Sequence, residues 1–161
     1  MNARWTPHVT VAAVIEEQGK YLLVEEHTRD GLRLNNPAGH LDPGESPVEG
    51  CAREALEETA RLFEPTHLVG LYLSRSQSVA VGDSPNIHYL RLAFAGRHGE
   101  VIAGRSLDTG IVRTVWMTLP EIEASQHLHR SPLVWRTVCD HAAGKRYSLD
   151  MLHTDASVYR V

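Results

Sequence analysis

Residues 42–58 carry six carboxylate side chains and one basic side chain, Arg53, and this density of negative charge most constrains how the chain can fold. The six carboxylates belong to Asp42, Glu45, Glu49, Glu54, Glu57 and Glu58. Like charges this close together destabilise a compact state unless something neutralises them. The chain must therefore expose this stretch to solvent or use it to bind a cation.

The sequence predicts a helix over residues 46–63. Ser46 is a suitable N-cap residue, Pro47 suits the first helical position, and Pro65 marks the stop. Apolar residues at helical spacing give this segment one face for the core. Residues 37–47, just before it, are rich in Pro and Gly, so we predict irregular structure there.

Three glutamates of the predicted helix share one edge. Residues three and four apart are neighbours on a helix, so Glu54, Glu57 and Glu58 lie side by side. A solvated acidic face would normally alternate with lysine, and residues 46–63 contain none. Two interpretations stay open at this point: an exposed acidic face, or a site for Mg²⁺ or Mn²⁺, which prefer oxygen ligands.

The rest of the chain alternates strands with two further helices. Strand patterns of period two, bounded by turn residues, occupy residues 8–16, 21–26, 67–73, 88–95, 111–117 and 147–152. Residues 28–36 are predicted as a loop or a second hairpin. A short helix follows the capping box that begins at Thr118, and residues 133–143 form another helix. Strands around one long and two shorter helices predict an α/β or α+β fold with a mixed sheet.

Composition excludes several classes of function. The net charge of −4 argues against a nonspecific nucleic-acid binder, and no apolar run reaches the ~20 residues of a membrane span. The first residues do not resemble a signal peptide. Cys51 and Cys139 lie in helical patterns and are expected to be reduced thiols. We therefore expect a cytoplasmic protein without nucleic-acid or membrane partners; the sequence holds no information on its oligomeric state.

Residues 39–61 resemble the Nudix box, whose pattern is Gly-x5-Glu-x7-Arg-Glu-U-x-Glu-Glu-x-Gly-U, with U a bulky apolar residue. The box positions are filled by Gly39, Glu45, Arg53, Glu54, Glu57 and Glu58. The last Gly of the pattern is Ala60 here and the apolar residue after it is Arg61. Ala tolerates a left-handed turn poorly, so we expect the helix to continue to Phe63.

The resemblance extends beyond the box. Residues 7–11, 36–41, 130–134 and 145–149 are similar to the bacterial NudJ-type phosphatases, a Nudix subgroup, over most of residues 7–152. The resemblance implies one Nudix domain over residues 1–161, with a C-terminal helix and strand in 131–152. It also implies an α/β/α sandwich around a mixed sheet.

The same resemblance implies an enzyme, a hydrolase of phosphoanhydride bonds that depends on Mg²⁺ or Mn²⁺. Its metal ligands would be Glu54, Glu57 and Glu58 with the backbone carbonyl of Ala38 or Gly39. Glu54 is also a candidate for orienting the attacking water, and Glu45 and Arg53 would pair to tie the loop to the helix. The substrates implied are nucleoside tri- and diphosphates, with release of orthophosphate, and the pyrimidine diphosphate precursor of thiamine.

Residues outside the box are candidates for substrate contacts. His40, Arg33 and Asn35 are expected to read phosphate or base, and Asp108 is the favoured extra carboxylate, with Asp83 and Glu100 as the others. Aromatic residues that could stack on a base are Trp5, Tyr72 and Tyr89, although aromatic residues in strands usually lie in the core.

Two alternative functions remain open from the sequence. One is a Nudix pyrophosphohydrolase of another specificity, such as ADP-ribose, dinucleoside polyphosphate or capped RNA. The other is a catalytically silent Nudix domain that senses nucleotides. All four glutamates of the box are present here, which favours an active enzyme.

Overall fold

The computed structural model describes residues 4–76 and 87–160, which form two β-sheets with helices on both sides. The strands are β1 His8–Val14, β2 Glu16–Glu17, β3 Lys20–Thr28, β4 Gly31–Asn35, β5 Ala38–His40, β6 Arg61–Arg75, β7 His88–Val101, β8 Ile111–Thr118 and β9 Tyr147–Ser148. The α-helices are α1 Pro47–Thr59, α2 Leu119–Ala124 and α3 Leu133–Ala142. Short 3₁₀ helices span Gln126–Leu128, Leu149–Met151 and Ala156–Tyr159. None of the helices in the described parts is long and apolar enough to cross a membrane.

The larger sheet is mixed. Its strand order is β5-β1-β7-β6-β9, with β1 and β7 parallel and the other pairs antiparallel. The second sheet contains β2, β3, β4 and β8, with β3 between β4 and β8. Placing β5 beside β1 brings the segment just before the acidic helix to the edge of the larger sheet.

Apolar side chains on the two faces of the larger sheet pack into separate clusters. Alternate residues of a strand point to opposite faces. Val11 and Phe94 pack with Cys51 and Ala55 of α1. The opposite face packs against β3 and against α2 and α3. The three-layered α/β arrangement, with mixed sheets and a few helices, confirms the predicted fold class.

The acidic helix begins as predicted and ends earlier. Ser46 accepts a hydrogen bond from the Glu49 amide, and the Glu49 side chain accepts one from the Ser46 amide, which completes a capping box. The helix ends at Thr59, so the expected continuation to Phe63 is wrong. Ala60 takes the left-handed conformation, with φ 55° and ψ 27°, and its amide bonds to the Leu56 carbonyl. Strand pairing from Arg61 onward offsets the cost of that conformation.

Other boundaries differ from the sequence prediction, and one pair of alternatives is decided. β6 is 15 residues long because it pairs with β7 over its whole length. Residues 28–36 form the hairpin of β3 and β4, which was one of two alternatives. Residues 38–40 are a short strand within the segment predicted as irregular. The C-terminal strand is limited to β9. The predicted loop after β6, including Asp83, lies largely outside the described residues.

Candidate functional site

The carboxylate edge of α1 faces the short strand β5. Gly39 of β5 lies directly under the Glu54 carboxylate, and a β-carbon at position 39 would overlap both carboxylate oxygens. On the same strand, the Ala38 amide donates a hydrogen bond of 2.9 Å to Oε2 of Glu58. The missing side chain at Gly39 therefore allows two box carboxylates to lie against the backbone of β5.

Arg53 is the cation at the centre of the box. Its Nε and Nη2 donate to the two oxygens of Glu45 at 2.9 and 2.7 Å, a bidentate pair between the loop and the helix. Its Nη1 donates to Glu54 Oε1 at 2.8 Å and Glu57 Oε2 at 3.0 Å, and Nη2 also reaches the His40 carbonyl. These hydrogen bonds lower the pKa of the Glu45 carboxyl and raise that of the guanidinium.

Glu58 and Glu54 are ionisable groups buried at the edge of the helix. Glu58 is 7% exposed, and burial raises its pKa to about 8, with further increases from the nearby charges of Glu26 and Glu54. Burial also raises the pKa of Glu54, against the lowering effect of Arg53. A buried carboxylate without a cation partner is costly, so Glu58 sits where a cation would stabilise the fold.

The donor set of this region fits a hard divalent cation. Glu54 and Glu57 share one nitrogen of Arg53, which places their carboxylates side by side, and Glu58 adjoins them at the backbone of β5. Within residues 4–76 and 87–160, no three acidic, histidine or cysteine side chains are already arranged around one metal position. Glu54 and Glu57 each use one carboxylate oxygen in these contacts with Arg53.

A cavity of about 880 Å³ opens beside β5 and brings several predicted residues together. Ala38, Gly39, His40, Arg33 and Asn35 all line it. The cavity also carries a concentration of basic side chains, namely Arg29, Arg33, Arg75, Arg91 and Arg130. Its wall at β5 therefore adjoins the acidic helix, while its other walls carry these arginines together with Glu26 and Asp30.

The favoured extra carboxylate, Asp108, lies near the end of α1. The Asp108 amide donates to the Glu57 carbonyl at 2.9 Å, which holds the loop before β8 against the helix. The Asp108 side chain is exposed and accepts a bond from the Thr109 amide. Its charge is close enough to raise the pKa of Glu58. Glu100 is exposed near the end of β7.

The three aromatic candidates occupy different places. Tyr89 lines the cavity and packs its ring against that of His40 at 6.2 Å between centroids. Tyr72 instead donates a hydrogen bond to Asp140 of α3, away from that wall. Trp5 is 57% exposed. Of the three, Tyr89 is therefore the one placed to contact a molecule in the cavity.

The residues that line the cavity without having been predicted as site residues include Arg91 and Glu26. Arg91 lies on β7 and is 7% exposed. Glu26 lies on β3 and accepts from Asn35 at 3.3 Å, while Arg130 lies 3.5 Å from it. The sequence does contain an indication of Arg91. This charged residue interrupts the apolar run of β7 on the face that buries Ala93 and Ala95.

Comparison with known proteins gives a family match over most of the chain. The model of the NUDIX domain matches residues 5–135. The chain is 36% identical over 146 residues to the Phosphatase NudJ of Escherichia coli K12, which covers 91% of this chain and 90% of the relative.

Solved structures show the same relationship. A NUDIX hydrolase from Nitrosomonas europaea superposes with a TM-score of 0.86 at 48% identity, covering 93% of this chain and 98% of that one. The MutT protein from Methanosarcina mazei Go1 superposes with a TM-score of 0.64 at 24% identity, over 89% of this chain and 99% of that one. The likeness to the Methanosarcina mazei protein shows that the two chains share a fold.

Proposed function

The chain belongs to the Nudix family of hydrolases, and from that premise we propose that it is a Mg²⁺- or Mn²⁺-dependent phosphohydrolase of nucleoside tri- and diphosphates that releases orthophosphate. Hydrolysis of phosphoanhydrides follows from the family and its NudJ relatives. The metal, the nucleotide substrate and the released product are our proposal. The name of the relative, a phosphatase, supports orthophosphate as the product.

One observation carries the proposal: the acidic edge of α1 meets a largely basic cavity at the single strand β5. Ala38 and Gly39 belong to both, since they contact Glu58 and Glu54 and also line the cavity. A polyphosphate bound in the cavity would place one phosphate at β5 and the rest of its charge among arginines, which suit phosphate recognition.

We propose Glu54, Glu57 and Glu58 as the metal ligands, with a carbonyl of Ala38 or Gly39. A divalent cation bound there would neutralise charge on the reacting phosphate and acidify bound water. Arg53 holds the carboxylates of Glu54 and Glu57 together. Glu54 is our candidate for orienting the attacking water and accepting its proton, and Asp108 is a second carboxylate close to the helix.

The remaining predicted site residues contact the parts of the substrate away from the metal. Arg33, Asn35 and His40 line the cavity and offer donors for phosphate or base. Burial and the neighbouring His8 lower the pKa of His40, so we expect a neutral imidazole that donates a hydrogen bond at neutral pH. Tyr89 offers a ring on the same wall for a nucleobase.

The test is a substrate panel with Mg²⁺ in which orthophosphate and pyrophosphate are detected separately. The panel includes nucleoside tri- and diphosphates, ADP-ribose and a dinucleoside polyphosphate. We expect orthophosphate from the first two classes. Pyrophosphate from triphosphates, or turnover confined to ADP-ribose or dinucleoside polyphosphates, would contradict the proposed specificity.

Glu57→Gln tests the metal-binding role directly. Removing one carboxylate charge should lower kcat by about 100-fold or more, since residues that act on transition-state charge contribute several kcal/mol. The fold should be kept, as shown by circular dichroism. Glu123→Gln, at an exposed position of α2, is the control with unchanged turnover. Wild-type turnover in Glu57→Gln would exclude Glu57 as a ligand.

A further inference from the structure

Strand β6 has one open edge. β7 pairs with β6 along its whole length, whereas β9 pairs with the opposite edge only at His67 and Leu68. Among the residues that the structure describes, no strand pairs with that opposite edge from Gly70 to Ser74. We name residues 70–74 the β6 edge. An uncovered edge presents amide and carbonyl groups to which another strand can bind.

The pairing with β7 shows which backbone groups of the β6 edge point outward. The Ser76 amide donates to the Ile87 carbonyl, so the backbone groups of Ser76 point towards β7. These groups alternate between the two sides of an antiparallel strand, and the register with β7 is unbroken from residue 70 to residue 75. The amides and carbonyls of Leu71 and Leu73 therefore point to the open side.

The same two residues expose their side chains. Leu71 pairs with Leu92 of β7, which packs against α1, so Leu71 and Leu73 lie on the α1 face of the sheet. Leu71 is 55% exposed and Leu73 is 61% exposed. The β6 edge contains no charged residue and no proline, which are common means of preventing an edge strand from pairing.

The space beside the β6 edge can accept another strand. A cavity of about 280 Å³ adjoins it and is lined by residues 69–72 together with Arg136, Asp140, Lys145 and Tyr147. Lysine is the residue that most often protects a strand edge. Here the Lys145 ammonium lies 2.8 Å from Asp140, and this ion pair holds its side chain at the cavity.

A second copy of the chain fits the β6 edge in an antiparallel register. With Tyr72 on a two-fold axis, Leu71 of one copy lies opposite Leu73 of the other. Both residues point their backbone groups to the open side, so each such pair can exchange two hydrogen bonds. The register also brings the exposed leucines of the two copies together, and no charges of like sign meet within the paired segments.

We propose that the β6 edge is a dimer interface, in which β6 of one copy pairs with β6 of a second copy and joins their larger sheets. A two-fold contact uses both edges, so assembly stops at the dimer. The paired segments are short, and the interface is smaller than the ~1,600 Å² of a standard one, so we expect a Kd in the micromolar range. The proposal is independent of the proposed function, because pairing requires none of the box residues.

Analytical ultracentrifugation of the whole chain, from about 1 μM to about 1 mM protein, tests for the dimer. The wild type should show a reversible equilibrium between monomer and dimer. Leu71→Lys introduces charge into the interface and should weaken the dimer by about tenfold or more. Leu62→Lys, at a leucine of β6 that is 63% exposed, is the control and should dimerise like the wild type.

Leu73→Pro tests whether backbone pairing holds the dimer together. Proline removes an amide that does not bond to β7, a position where an edge strand tolerates it. Leu73→Ala is the matched control, because it removes the leucine side chain and keeps the amide. Leu73→Pro should weaken the dimer about tenfold more than Leu73→Ala, since each dimer loses two hydrogen bonds. Equal dimerisation of these two variants overturns the proposed strand pairing.

Amide hydrogen exchange of the wild type decides the point even if Leu73→Pro does not fold. Raising the protein concentration should slow exchange at Leu71 and Leu73 by about tenfold or more. Exchange at Tyr72 and Ser74 should change little, because their amides point towards β7. A dimer with unprotected Leu71 and Leu73 amides, or assembly beyond the dimer, contradicts the proposal. A monomer at every concentration overturns it and leaves the β6 edge to a different strand.

Discussion

Arg53 and Arg91 are both shielded arginines at the same site, and they differ in how completely their donors are used. Arg53 donates to three carboxylates and a backbone carbonyl at 2.7–3.0 Å. Among the residues that the structure describes, Arg91 makes one long hydrogen bond, to a neutral amide. Arg53 is 27% exposed in its side chain, whereas Arg91 is 7% exposed as a whole residue, so the more deeply buried arginine has fewer partners.

The contrast between the two arginines distinguishes a structural charge from a ligand-binding charge. A paired buried charge stabilises the native state, and removing it lowers the free energy of unfolding. An unpaired buried charge is tolerated at a cost to stability, and such groups cluster at functional sites. The two arginines should therefore respond to substitution with opposite signs.

Arg53→Met should produce the largest loss of stability. It leaves Glu45 and Glu54 without their cation, so we expect the free energy of unfolding to fall by about 3 kcal/mol, as for a broken buried ion pair. Urea denaturation measures this. A loss no larger than that of the exposed control Arg97→Met, about 0.5 kcal/mol or less, would remove the contrast between the two arginines.

The double variant Glu45→Gln/Arg53→Met measures how far the stability contributions of Glu45 and Arg53 depend on each other. Because Glu45 no longer carries an unpaired charge, the double variant should lose less stability than the sum of the two single variants. Additive losses would mean that Glu45 and Arg53 contribute independently.

Glu58→Gln should have an effect of the opposite sign. The folded-state pKa of Glu58, about 8, is above its ordinary value of 4.5, so burial destabilises the fold as the pH rises between these values. In metal-free buffer, the variant should be more stable than the wild type by roughly 4 kcal/mol at pH 8. The difference should vanish near pH 4.5.

Mg²⁺ provides the control for Glu58→Gln. The ion should raise the melting temperature of the wild type more than that of the variant, because a ligand that binds the native state stabilises it. Equal stability of the two proteins at pH 8, without metal, would show that Glu58 is satisfied in the free protein.

Ala60→Gly should have the smallest effect and tests the backbone at the end of the same helix. Glycine relieves the left-handed strain, about 1 kcal/mol, and loses one buried methyl group, so we expect a net gain of about 0.5 kcal/mol in urea denaturation. Ala52→Gly, in the middle of α1, should instead lose about 1 kcal/mol. Equal losses in both variants would contradict a left-handed Ala60.

Local signals in the sequence predicted much of the fold. The capping residues Ser46 and Pro47 fixed the start of α1, and the spacing of Glu54, Glu57 and Glu58 placed them on one edge. The end of the helix could not be predicted in the same way. Ala60 disfavours a left-handed conformation locally, and pairing between Arg61 and Val101, 40 positions away in the chain, outweighs that preference.

The site was predictable where its residues are close in sequence. Glu45 and Arg53 are eight positions apart, and the box pattern pairs them. Arg91 and Thr10 meet through the parallel pairing of β1 and β7, and a parallel register is set by the whole sheet rather than by neighbouring residues. The sequence shows Arg91 as a charged residue within an apolar strand. It does not show that β1 is the strand that pairs with β7 at this position.

The absence of a side chain at Gly39 has an evolutionary consequence. Any β-carbon there would displace the Glu54 carboxylate, so mutation at this position disrupts the carboxylate arrangement before it can change what the cavity binds. β4 and β7 contribute other walls of the cavity, with Arg33, Asn35 and Tyr89. Descendants of this chain can therefore acquire new substrates by changing those walls, while β5 and the helix above it remain fixed.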